Sequence, residues 1–146
     1  MKRYILILLL GMVMATAVAR PRDREFNPKR FQAEMESFIA NRAGLTPKQA
    51  SRFFPLFREM QKKQRVLFTE MRQYQHINLA DEAACARAIQ RMDNIDVQIR
   101  TIQMEYHQKF MAILPANVVM KILRAEDMFH RMAFRRAAKR ECPPDR

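Results

Sequence analysis

The chain has 146 residues, with 27 Lys and Arg against 15 Asp and Glu, two glycines and no tryptophan. A net charge of +12 favours acidic partners such as anionic lipid or acidic protein segments. Scarce glycine excludes phosphate-cradling loops and tight β-hairpins, and no HExxH, CxxC, Gly-x-Ser-x-Gly or Walker pattern occurs, so no enzyme and no cofactor are expected.

The first nineteen residues read as a secretory leader. Lys2 and Arg3 precede a short apolar run from Tyr4 to Met14, and Ala17-Val18-Ala19 fits a small-residue cleavage site. Such a run is short for a membrane span, so cleavage before Arg20 is expected, with a retained anchor as the alternative. Export implies the periplasm and makes nucleic acid an improbable partner. Loss of Lys2 and Arg3 from the +12 total still leaves +10. Residues 20–26 are charged and aperiodic, which predicts a mobile basic arm.

The helical domain is expected over 27–141. Asn27-Pro28 reads as an N-cap followed by proline at the first helical position. Phe31, Met35, Phe38 and Ile39 follow at helical spacing, and Gly44 is a C-cap. Leu45-Thr46-Pro47-Lys48-Gln49 then opens a second helix. Thr46 caps it, Pro47 suits its first position, and Gln49 can reach back to the Thr46 amide, which makes a capping box. The stripe Phe53, Phe57, Met60, Gln64, Leu67, Met71, Tyr74 steps by fours and threes like a coiled coil, with Leu56 and Phe68 widening it. Pro55 inside this helix predicts a bend.

Residues 75–80 read as a connection, with Asn78 or Asp81 capping a third helix. Ala88, Met92, Ile95, Ile99, Ile102, Tyr106, Phe110 and Ile113 form its stripe. Pro115 breaks it, and a fourth helix carries Val118, Ile122, Ala125 and Phe129 on one side. Pro143-Pro144 stops it, leaving 142–146 as a tail. The expected fold is all-α: four helices in a hairpin-like arrangement with long, bent members. Stripes this long on so thin a protein are most simply covered by a homodimer.

Chemistry-bearing residues are few. His107 and His130 are weak metal candidates, lacking the three or four converging donors a metal needs. Cys85 and Cys142 can form a disulfide if the last two helices run antiparallel; free thiols or a bridge between subunits are the alternatives. Methionine and phenylalanine at helical spacing fill a core first, and an adaptable binding surface second. Arg58, Lys62, Arg65 and Arg72 lie on the face of the second helix opposite the apolar stripe. Arg131, Arg135, Arg136, Lys139 and Arg140 crowd the last helix end, where cations complement the helix dipole or steer acidic clients. The client-binding candidates are Arg58, Lys62, Arg65, Phe68, Arg72, Arg135 and Arg136. An anionic membrane surface is a further candidate partner for so basic a chain.

Leu45-Thr46-Pro47-Lys48-Gln49, in this helix order and behind a leader, resembles the LTxxQ motif of the Spy/CpxP family of periplasmic stress proteins. The family's second copy corresponds to Leu114-Pro115-Ala116-Asn117-Val118, which keeps leucine but lacks threonine and glutamine. The resemblance spans roughly residues 31–134. It implies a cradle-shaped antiparallel dimer, and envelope-stress work as an ATP-independent holder of unfolded proteins or as a restraint on a membrane sensor. A side branch of the family binds metals through histidines, so a metal sensor or scavenger is a third expectation.

Overall fold

In the computed structural model, residues 27–141 are described, with side chains through 139. The expected leader, the arm at 20–26, the tail and Cys142 lie outside them. By contact the chain separates into two units, residues 1–32 and 33–146. The described part is all-α. Its four α-helices are α1 (Pro28–Ala43), α2 (Pro47–Arg72), α3 (Glu82–Ile113) and α4 (Ala116–Glu141), with a 3₁₀ turn at Gln73–His76.

Each helix begins or ends where local chemistry requires it. Asn27 Oδ1 accepts from the Arg30 amide at 3.1 Å. Gly44 takes φ +66°, and the Leu45 amide reaches the Ala40 carbonyl at 2.9 Å. That bond spans the Schellman turn, in which a left-handed residue satisfies an orphan carbonyl. Thr46 and Gln49 then form the reciprocal box: Gln49 N–H donates to Thr46 Oγ1 at 3.2 Å, and Thr46 N–H to Gln49 Oε1 at 3.0 Å. Leu45 therefore closes α1 while Thr46 opens α2, which gives the pentapeptide a structural reason. α2 continues without interruption through the exposed Pro55.

Of the two candidate caps for α3, Asp81 holds the position, accepting from Ala84 N–H at 2.8 Å. Asn78 Oδ1 instead accepts from the Ala80 amide at 3.0 Å. At the degenerate second motif, the Pro115 carbonyl accepts from the Val118 and Val119 amides at 2.9 and 3.1 Å. Asn117 Oδ1 also takes the Val118 amide at 2.9 Å. Asparagine thus supplies the side-chain acceptor that the missing threonine does not.

The core of residues 33–141 is an antiparallel hairpin of α2 and α3. Phe53 meets Phe110 with ring centroids 4.8 Å apart, and Glu70 meets Arg91 at 2.6 Å. Moving up α2 takes the partner down α3, and at 1.5 Å per residue the two helices run about 39 and 48 Å. Phe53, Phe57, Met60, Ile95, Tyr106 and Phe110 are almost wholly buried. Phe53 also packs on Phe54 and Phe57, at 5.2 and 5.4 Å, contacts that add about 0.5–1.5 kcal/mol each beyond area burial. Phe54, off the predicted stripe, is buried.

α1 and α4 lie against one end of this hairpin. Phe38 of α1 packs against Phe129 of α4 in a tilted pair with centroids 5.6 Å apart, and Met35 Sδ accepts from Gln61 Nε2 at 3.8 Å. Phe68 lies two turns beyond Gln61 and is exposed. The stripe predicted to bury Phe68 and Met92 therefore runs out of partners: both side chains are open to solvent, and Leu67, Met71 and Tyr74 are only half-buried.

Candidate functional site

The far end of the α2–α3 hairpin carries an open apolar groove of about 340 Å³, lined by Phe68, Met71, Arg72, Tyr74, Gln75 and Met92. Its floor continues the helical stripe of α2 past the last covered turn. Met71 and Tyr74 carry that stripe, while Phe68 and Met92 flank it from the two helices. The aromatic rings give the groove large contact area, and the methionines let it repack around different shapes.

Cations stand along one edge. Arg65 and Arg72 lie three residues before and four after Phe68, so the three share a helix face. Arg72 Nη2 donates to Thr69 Oγ1 at 3.3 Å. Among the described residues neither Arg65 nor Lys62 has an ion-pair partner, and both are exposed. Next to the groove, Arg91 Nε meets Glu70 Oε1 at 2.6 Å. The hydrogen bond to Glu70, and then its charge, raise the Arg91 pKa above the ordinary arginine value.

Arg58 has another role. Its Nε and Nη2 grip Glu36 Oε1 and Oε2 at 2.7 and 2.5 Å, and the Glu36 hydrogen bond raises its pKa. It ties α1 to α2, away from Phe68. Arg135 and Arg136 are exposed on the last turns of α4, with Phe134 between Arg131 and Arg135 also exposed.

His130 Nε2 lies 3.8 Å from Glu126 Oε1, and the ring of His107 is 6.2 Å from that of Phe110. Among the described residues no group of three or more His, Cys, Asp and Glu side chains converges as a metal would need. The half-buried Cys85 thiol lies 3.6 Å from the Asn78 carbonyl; its proposed partner Cys142 lies outside the described residues. No helix among the described residues is long and apolar enough to cross a membrane.

Sequence periodicity located Phe68, Met71, Tyr74 and Met92 and assigned them to the core stripe, with Phe68 also named as a client-binding candidate. What it missed is the reach of α1, which depends on the long-range meeting of Met35 with Gln61. No protein-family model, curated protein or solved structure matches the chain.

Proposed function

We propose that this is a chaperone-like protein of the periplasmic envelope, which holds unfolded or acidic segments of other proteins without ATP. The observation that carries the reading is the groove of Phe68, Met71, Tyr74 and Met92 with Arg72 on its rim. Exposed apolar side chains in a cleft rimmed by charge mark an interaction surface. Free cations at Arg65 and Lys62 attract acidic clients over roughly a Debye length, about 10 Å at moderate salt. The groove then holds apolar side chains loosely. An open cleft buries only part of each guest, so a bound segment gains about a kcal/mol per side chain and leaves without nucleotide. The leader-like residues 1–19 and the resemblance to the Spy/CpxP family favour the periplasm and stress work.

The test is aggregation of a chemically denatured client diluted into buffer with and without the protein. Suppression at low molar ratio, weakened by added salt, is the expected result. No suppression at several-fold excess contradicts the reading. Recovery of one stoichiometric envelope sensor domain together with that negative result assigns the protein a regulatory role instead.

A further inference from the structure

Methionine supplies two of the six residues that line the groove at the far end of the hairpin, Met71 from α2 and Met92 from α3. The described methionines differ sharply in access. Met35 and Met60 are each 2% exposed and belong to the packed core, whereas Met92 is 36% exposed and Met71 half-buried. Met104, Met111 and Met120 are exposed as well, but none of them lines the groove. The side chains that give the cleft its adaptable apolar lining are thus open to small oxidants, while the thioethers of the core are shielded.

A thioether reacts through its sulfur lone pair. With hydrogen peroxide, one peroxide oxygen becomes bonded to sulfur and the O–O bond breaks. The other oxygen leaves as water with both hydrogens. Sulfur is oxidised by two electrons and the peroxide is reduced by the same two. The product, methionine sulfoxide, carries a strong hydrogen-bond acceptor where a soft apolar atom stood. The groove grips a guest through desolvated apolar contact, and a sulfoxide there holds its water, so the guest's side chain loses its seat. Oxygen taken up by Met104, Met111 or Met120 leaves that seat untouched.

We infer that Met71 and Met92 are oxidation sites that switch the groove off: it holds clients as thioethers and releases them as sulfoxides. The inference rests on the client-holding reading of the groove and supplies its control.

The test uses the full chain with Cys85→Ser and Cys142→Ser, so that thiols take no part. The client is fluorescent α-lactalbumin, reduced and carboxymethylated to keep it unfolded and acidic. Affinity is measured by anisotropy before hydrogen peroxide, after its removal with catalase, and after repair by methionine sulfoxide reductases A and B. Peptide mass spectrometry reads which methionines carry oxygen. Oxidation is expected to weaken binding about tenfold or more, with unchanged helical circular dichroism, and repair to restore it. Each variant is compared with its own unoxidised form. Met104→Leu, Met111→Leu and Met120→Leu together are expected to leave the loss in place. Met71→Leu and Met92→Leu are expected to reduce it singly and to remove it together. Met71→Gln with Met92→Gln, polar without any oxidant, is expected to bind about as weakly as the oxidised chain. Four results overturn the inference while client holding stands: full affinity with sulfoxide at both groove positions, no sulfoxide forming there, a loss that accompanies collapse of the helical signal, or a loss undiminished by the leucine variants. Absence of binding by the untreated chain contradicts client holding itself, and the switch falls with it.

Discussion

Arg58 and Glu36 form a two-pronged ion pair, at 2.7 and 2.5 Å, that joins α1 to α2. The carboxylate is largely shielded, its side chain only 13% exposed, whereas the guanidinium is 58% exposed. Solvent therefore screens much of the attraction. A double-mutant cycle of Arg58→Ala and Glu36→Ala is expected to give a coupling of about 0.5–1 kcal/mol by urea unfolding, smaller at high salt. A coupling of zero at low salt contradicts the clasp.

The joint between α1 and α2 rests on two adjacent residues with different demands. Thr46→Ala removes one acceptor of the capping box and is expected to cost about 1 kcal/mol, while Thr46→Ser keeps it. Gly44→Ala meets no neighbouring atom within 4 Å, so its cost comes from φ +66° alone, about 1 kcal/mol. Thermal unfolding of the three variants separates a hydrogen-bond loss from a backbone strain.

Gln64 occupies a heptad position that would ordinarily be apolar. It is buried, and its Nε2 has no protein hydrogen-bond partner. An orphaned buried donor costs about 1–3 kcal/mol. Gln64→Leu, of similar volume, is expected to raise the urea midpoint. A lowered midpoint would show that the amide is satisfied and specifies the register of the hairpin.

His130 supplies the pH dependence. The Glu126 carboxylate beside it, helped by the charge of Asp127 and opposed by burial, raises its pKa above the ordinary histidine value. A histidine raised on folding contributes stability that is complete below the unfolded value and is lost as pH rises through the folded one. The wild type is therefore expected to be more stable than His130→Gln at pH 5.5, with the difference fading above about pH 6.5 as the ring deprotonates. Melting temperatures measured across that range check the sign.

Local signals carried most of the fold. Asn27, Gly44, Thr46 and Asp81 each act within a few residues of themselves, so their effect is readable from the chain. Phe53, Phe57, Met60 and Phe110 follow from period alone. Most failures share one cause: the answer depended on how far another helix extends. Phe68 and Met92 obey a core period, yet α1 engages Met35 with Gln61 and offers them nothing. Arg58 has the composition of a free cation, and only the approach of Glu36 from α1 changes its role. Phe54 lies off the stripe yet is buried, packed on Phe53 and Phe57 of its own helix. At the second helix start, Asn117 rescues a motif whose usual threonine is absent, a substitution visible only in the geometry of the Val118 amide.

The most direct measurement places a photoreactive phenylalanine analogue at position 68 or position 66 and irradiates the protein with a denatured client bound. Val66 is the more exposed of the two, at 66% against 47% for Phe68, but lies outside the groove. Strong client adducts at position 68 and weak ones at position 66 are predicted. Equal labelling, or labelling that simply follows exposure, would contradict capture by the hairpin groove.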